Sequence, residues 1–337
     1  MTKPALRFAA LGLDHRHIYG QAAHMQSVGA EFVSWWTQGQ PNTLDGFDKR
    51  FPGVPRVSDK QAILEDESID LILIAAIPAD RAALAIEAME HGKDVMVDKP
   101  GCTTESQLDA IKHTVAKTGR IWSVDFSERF EVPCVTRAAE LVQQGAIGKV
   151  VQTVGLGPHR INLATRPEWF FEKERYGGIL CDIASHQIDQ FLYFTGSTDA
   201  TVTMASAANY ANPDYPQLQD FGEIALQSEH GHGYIRVDWY TPDALPNWGD
   251  GRLTILGTEG FIELRKYTDV PTADTDTLLL VNGSRCEKIN AADSPLPYFE
   301  NLVHDIHHRT EKAMPQNHCF KVAELALKAQ AMADSAA

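Results

Sequence analysis

The sequence predicts an α/β protein in two parts: a doubly wound parallel sheet, then an α/β domain with a mostly antiparallel open sheet. Three observations predict it. Up to about Phe126, short apolar segments alternate with helix-like ones, the β-α-β rhythm of a parallel sheet. Ile69–Ala76 reads IDLILIAA, the apolar run expected of a strand covered on both faces. Beyond about Val132 the rhythm changes to a series of alternating strands, the mark of an antiparallel sheet.

In chain order, Arg7–Leu11 is a first strand, followed by a turn over Gly12–His17 and a helix to about Val28. Glu31–Trp36 is a second strand. Ser58-Asp59 can cap a helix holding Ala62–Leu64. After Ile69–Ala76 come a helix over Arg81–His91 and a strand over Asp94–Val97. Thr104-Glu105-Ser106-Gln107 is a capping box opening a helix to about Lys117, and Ile121–Phe126 is a further strand. A helix over Thr136–Gln144 leads to a strand over Lys149–Gly155. One long helix should then carry Gly177–Asp189. The later strands are Thr201–Ala207, Glu223–Ser228, Gly233–Tyr240, Arg252–Leu256 and Gly260–Leu264. Two helices, about Pro297–Lys312 and Phe320–Asp334, complete the reading. The boundary falls between Ser123 and Pro133, giving domains 1–125 and 126–337.

A chain of 337 residues is long for one core, which agrees with two domains. Its formal net charge of −15 argues against nucleic acid or an anionic membrane as partner. No apolar run reaches spanning length, and no basic, then apolar leader opens the sequence, so a cytoplasmic protein is expected. The five cysteines are scattered, with no CxxC pair, which predicts neither a disulfide framework nor a structural zinc site. Cys181 beside Asp182 could be a nucleophile, but no histidine at fixed spacing activates it; a small core residue is the simpler reading.

The densest chemistry lies in Tyr176–Asp189. Asp182, His186 and Asp189 stand at i, i+4 and i+7, which on one helix puts three titratable groups on one face. Gly177-Gly178 precede them and permit close approach. An imidazole titrating near about 6.5 can accept a hydroxyl proton at neutral pH, and a carboxylate one turn away can orient it. The same groups could hold a divalent ion only with help from other segments, so no metal is expected. Asp98-Lys99-Pro100 ends a buried strand. A lysine there needs a partner or a task, and a substrate hydroxyl would supply one. The turn Gly12-Leu13-Asp14-His15-Arg16-His17 sits where a dinucleotide fold places G-x-G-x-x-G; Asp14 and His17 stand for the second and third glycines. The strand Glu31–Trp36 ends without an acid, and no arginine follows at once, so neither NAD nor NADP is favoured. His159, Arg160 and Trp169 precede the helix. Arg160 suits a carboxylate and Trp169 a sugar face; loop packing is the alternative for all three. His304, His307 and His308 read as a polar helix face.

Asp98-Lys99-Pro100 resembles an E-K-P motif, and Gly177-Gly178-x3-Asp182-x3-His186-x2-Asp189 resembles G-G-G-x3-D-x3-H-x2-D, of the glucose–fructose oxidoreductase / inositol dehydrogenase / rhizopine-catabolism (Gfo/Idh/MocA) family. Ile74-Ala75-Ala76-Ile77-Pro78, Trp169-Phe170 and Leu256-Gly257-Thr258-Glu259-Gly260 extend the resemblance along the chain. It departs from the family at Asp98 for Glu, at Tyr176 for the first glycine of the triple, and in the glycine loop. The resemblance implies a Rossmann domain followed by an α/β domain whose sheet forms homodimers or homotetramers. It implies NAD- or NADP-dependent oxidation of a sugar, inositol or related polyol hydroxyl. Lys99, Asp182 and His186 would be catalytic. Gly12, Leu13, Asp14, His15, Thr37, Ala76, Pro78, Asp98 and Lys99 would line the cofactor, and His159, Arg160 and Trp169 the substrate. The competing expectation is a non-catalytic or cofactor-free relative that binds a small molecule, which Asp14 and His17 favour.

Overall fold

The computed structural model describes residues 5–335. The chain forms two compact units. The first takes the residues through Asp125, with Glu174–Gly177 and Pro297–Phe320; the second takes Phe126–Lys173, Gly178–Leu296 and the residues from Lys321.

The first unit holds a five-stranded parallel sheet of β1 (Arg7–Leu11), β2 (Glu31–Trp36), β3 (Leu71–Ile74), β4 (Asp94–Asp98) and β5 (Trp122–Asp125). Their order is β2-β1-β3-β4-β5. Every residue of β3, β4 and β5 is buried, as expected of strands covered on both faces; β3 is wholly apolar, while β4 and β5 bury Asp94, Asp98, Ser123 and Asp125 as well. The order changes direction between β1 and β3, and ligands of such sheets sit beyond the carboxyl ends at that point.

Local sequence sets the connections. Thr104 Oγ1 accepts the N–H of Gln107 at 3.2 Å, while Gln107 Oε1 reaches back to the N–H of Thr103 at 2.8 Å. The reciprocal cap forms, displaced by one residue on its return arm. Asp59 Oδ1 likewise accepts the N–H of Gln61 at the start of helix Gln61–Leu64. The helix expected from Arg81 starts earlier, at Pro78, because proline fits the first turn, where no N–H is needed. Arg81 is therefore inside the helix and buried.

The late segment Pro297–Phe320 completes this unit. Gln316 offers its side-chain amide to both the N–H and the C=O of Trp122, closing the edge of β5. Arg309 grips Asp94 through two bonds of 2.7 and 2.6 Å, and Phe299 stacks on His24.

The second unit holds an eight-stranded sheet of β6 (Val150–Pro158), β7 (Thr201–Ala208), β8 (Phe221–Gln227), β9 (His232–Asp238), β10 (Arg252–Gly257), β11 (Gly260–Arg265), β12 (Thr277–Asn282) and β13 (Cys286–Asn290). The order is β13-β12-β11-β10-β6-β9-β8-β7, and every pair but the parallel β6–β9 is antiparallel. Burial alternates along β8, β10 and β11, so one face is covered and the other open. Helix Pro133–Gln143 packs Val135, Ala138 and Leu141 onto Ile255, Ile262 and Leu280 of the covered face. Two strands, β12 and β13, join those the sequence pattern predicts. The single long helix expected over Gly177–Asp189 is in fact broken: Ile179–Asp182 and Ala184–Thr195 are separate, and the N–H of His186 turns to the carbonyl of Ile183. No described helix is long and apolar enough to cross a membrane.

Candidate active site

At the carboxyl edge of the first sheet, Gly12 takes φ +77°, which L side chains rarely adopt, and a Cβ there would lie 2.5 Å from that of Ala76. The chain turns tightly over Ala76, as the first glycine of a dinucleotide loop should. The rest of the loop is organised differently. The N–H of Leu13 goes to Thr37 Oγ1 at 3.1 Å, and the N–H of His15 goes to the carbonyl of Ala75 at 2.9 Å. Asp14 accepts the N–H of Ile77. Burial is the main influence on its carboxyl and pushes it up to about 6, against the pull of Arg81.

Asp98 ends β4 and Lys99 opens the following turn, and both are buried. Arg81, 1% exposed, clamps this turn: its Nη1 donates to the carbonyls of Asp98, Lys99 and Pro100, its Nε to that of Ala76, and its Nη2 to Asp98 Oδ2 at 2.8 Å. One guanidinium thus ties the ends of β3 and β4 together. His17 Nδ1 lies 2.8 Å from Asp98 Oδ1, and His15 Nδ1 lies 2.7 Å from Oδ2. Burial alone would raise the Asp98 carboxyl; Arg81, His15 and His17 instead hold it well below the usual range. Burial outweighs the attraction of Asp98 at His15 and brings that imidazole down to about 4, so it is neutral at pH 7. The carboxylate of Asp98 is thus paired with the guanidinium of Arg81 at this strand end.

His15, His17 and Asp98 bring candidate ligand atoms within 4.8 Å of one another. The guanidinium of Arg81 already lies on the same carboxylate, and a second cation there would be repelled at close range. Gly12, Leu13, Asp14, His15, Thr37, Ala76, Pro78, Asp98 and Lys99 all lie at this carboxyl edge: Asp98 ends β4, Pro78 opens the helix after β3, and the others lie in the connections that follow β1 to β4. The tight Gly12 turn beside Ala76 fits a dinucleotide.

In the second unit, Gly178 has φ +88°, and a Cβ on it would strike Gln330, whose Oε1 accepts the N–H of Leu180. Asp182 is half-buried at the end of the short helix, and His186 is 1% exposed in the next one, its ring edge-on to Phe126. Asp189 serves differently. Arg129 Nε and Nη2 hold its two oxygens at 2.6 Å each, and the same guanidinium lies over the ring of Tyr193. The three titratable groups therefore do not form one set. Asp189 anchors the helix, and its occupied oxygens remove it from any metal-binding trio with Asp182 and His186.

Below this helix Glu128 and Lys266 form a buried ion pair at 2.7 Å, joined by Gln187 at 2.9 Å. Burial would raise the Glu128 carboxyl, but Lys266, then His186 and His159, bring it down to about 2. His159 is held at the carbonyl of Gly157 and packs on Trp239 and Trp248. Arg160 donates to the carbonyls of Pro242 and Leu245, tying down their loop. Trp169 is half-buried, edge-on to Phe170. Cys181 is a buried core residue.

Sequence reasoning missed Arg81, Glu128, Arg129 and Lys266. All four are charged residues set among residues that become buried, where an unpaired charge would be costly, but their partners lie far away in the sequence.

Residues 7–126 match the model of an oxidoreductase family described as an NAD-binding Rossmann fold, and residues 135–263 match the GFO/IDH/MocA C-terminal domain. A solved structure from Erwinia carotovora atroseptica SCRI1043, provisionally named an oxidoreductase, is 47% identical over 97% of this chain and 98% of its own, with a TM-score of 0.95. The scyllo-inositol 2-dehydrogenase (NAD(+)) of Bacillus subtilis strain 168 is 28% identical over 307 residues, 89% of this chain and 82% of that enzyme. The levoglucosan dehydrogenase of Pseudarthrobacter phenanthrenivorans is 31% identical over 186 residues, 54% of this chain and 46% of that enzyme.

Proposed function

The chain belongs to the Gfo/Idh/MocA oxidoreductase family, and from that premise we propose that it oxidises a secondary hydroxyl of a sugar, inositol or related polyol. It is an NAD(P)-dependent oxidoreductase acting on CH–OH groups, with a Rossmann domain for the dinucleotide. The observation that carries the reading is Lys99, buried at the carboxyl end of β4 in a turn that Arg81 fixes.

The bound nicotinamide supplies a two-electron hydride acceptor. Lys99, as an ammonium, would hold the substrate oxygen and stabilise negative charge as its proton leaves. His186 would accept that proton at its imidazole, with Asp182 orienting the ring or a neighbouring hydroxyl. Glu128 offers the resulting imidazolium a fixed counter-charge that Lys266 keeps ionised. Gly12, Leu13, Asp14, His15, Thr37, Ala76, Pro78, Asp98 and Lys99 would line the cofactor, and His159 and Trp169 the substrate. Arg160, with its guanidinium on the 242–245 loop, would shape that wall rather than bind a carboxylate. The open face of the second sheet suits a homodimer or homotetramer, which sedimentation velocity would measure.

The test is a panel of inositols and anhydrosugars with NAD+ and NADP+, read at the absorbance of the reduced nicotinamide. Turnover should appear with the wild type and vanish in Lys99→Ala and His186→Ala, both still folded by circular dichroism. Full activity in either variant would refute its role. A second reading, a dinucleotide-free binder of small molecules, draws on Asp14, whose carboxylate would face a diphosphate, and on the Leu13 N–H already given to Thr37.

A further inference from the structure

Dinucleotide folds tell their two common coenzymes apart beyond the end of the second strand. A carboxylate there takes the ribose hydroxyls and repels a 2′-phosphate, whereas an arginine attracts it. In this chain, Trp36–Thr43 contains no Asp or Glu, although the whole molecule carries a net charge of −15. The sequence after β2 shows no arginine at once either. The fold brings one in from elsewhere.

The segment Pro55–Val57 runs beside β2: the N–H of Trp35 donates to the carbonyl of Pro55 at 3.1 Å, and that of Val57 to the carbonyl of Trp35 at 2.9 Å. Arg56 turns from this segment over the strand end. Its Nη2 donates to the carbonyls of Thr37 and Gly39 at 3.3 and 3.2 Å, and its guanidinium lies 5.2 Å from the centre of the Trp35 ring. The Trp35 indole N–H is itself fixed on the carbonyl of Val54. Arg56 is exposed, and among the described residues no carboxylate pairs with it. One nitrogen fixes the group, leaving Nε and Nη1 as donors for a ligand. The loop it holds is also the one whose Thr37 hydroxyl receives the N–H of Leu13, so the cation is tied to the Gly12 turn.

We propose that Arg56 binds the 2′-phosphate of the adenosine ribose and that the chain prefers NADP(H) to NAD(H). The proposal rests on the dehydrogenase reading and adds the choice of coenzyme to it. A planar guanidinium matches a phosphate with paired hydrogen bonds, and NADH offers only a hydroxyl at that place.

The experiment measures dissociation constants of NADPH and NADH, by energy transfer from tryptophan, for the wild type, Arg56→Ala and Arg56→Lys. The same proteins are titrated with 2′,5′-ADP and 5′-ADP by calorimetry. NADPH should bind the wild type about tenfold or more tightly than NADH. Arg56→Ala should erase that difference, weakening NADPH and 2′,5′-ADP while leaving NADH within about twofold; Arg56→Lys should keep part of it. Equal affinities in the wild type overturn the coenzyme assignment and leave the dehydrogenase reading standing. Equal losses of NADH and NADPH in Arg56→Ala mean that Arg56 only holds its loop, which also overturns it. Binding of neither dinucleotide overturns both readings.

Discussion

The two motif-bearing regions of this molecule differ in how they departed from, or kept, a family pattern. The Gly12–His17 turn has lost two glycines of its motif, yet the substitutes Asp14 and His17, with their neighbours Leu13 and His15, are set into a network: His15 and His17 against Asp98, Asp14 against Ile77, Leu13 against Thr37. The Gly177–Asp189 stretch keeps its motif almost intact, yet its polar groups divide. Asp189 is bound to Arg129, while Asp182 and His186 fall on opposite sides of a helix break. Matching letters therefore do not share a role, and changed letters need not mean a lost site.

The comparison breaks first at the helix. His186→Ala and Lys99→Ala should each reduce turnover by about a thousandfold or more, in keeping with loss of a proton acceptor or a charge at the reacting oxygen, and initial rates measure it. Asp189→Ala should instead act on stability. It leaves the Arg129 cation buried without its carboxylate, at a cost of about 3–5 kcal/mol in chemical denaturation. Asp182→Asn should lose activity while costing less than about 1 kcal/mol, because Asp182 is only half-buried. If Asp182→Asn proved the more destabilising of the two, the division of the motif would be wrong.

The glycine loop gives a smaller, pH-dependent effect. The Asp14 carboxyl titrates near 6, raised from its ordinary value of 3.8. It is neutral below that pH and charged above it, and only the charged form repels a diphosphate. Dinucleotide affinity should therefore rise by about three- to tenfold as pH falls from 8 to 5.5, with a proton taken up on binding. Asp14→Asn should flatten this dependence and match the tighter acid-side value; an unchanged slope would show that Asp14 points away from the ligand. His15 acts on stability with the opposite sign. Its folded value near 4 lies below the ordinary 6.5, so the unfolded chain takes the proton first. Stability from this group is complete above 6.5 and drains away between 6.5 and 4. The smallest effect belongs to the displaced cap, where Thr104→Ala should cost about 1 kcal/mol.

Periodicity gave β1 and β2 to the residue, and the fully buried β3 and β4 to within two residues at either end. These are local patterns, legible because burial on one or both faces dictates side-chain type. What stayed hidden depends on residues far apart. Arg309 reaches Asp94 and Gln316 reaches Trp122, so the return of Pro297–Phe320 to the first unit leaves no local trace. β13, reading Cys-Glu-Lys-Ile-Asn, is a mostly exposed edge strand whose pairing with β12 defines it more than its composition does. The break at Ile183 occurs without proline or glycine, which defeats a reading based on helix breakers. At the site, the motif residues were legible and their partners were not. Lys99 is legible from its strand end, but its link to Arg81 is not, because it depends on the helix starting at Pro78 and bringing the guanidinium to a turn 18 residues away.

The central claim, that this chain uses a nicotinamide dinucleotide despite its altered glycine loop, is tested most directly by titrating NADPH and NADH at pH 6 while following energy transfer from tryptophan. Saturable binding of at least one in the micromolar range is the predicted result. No binding of either at millimolar concentration, from protein shown to be folded, would contradict it.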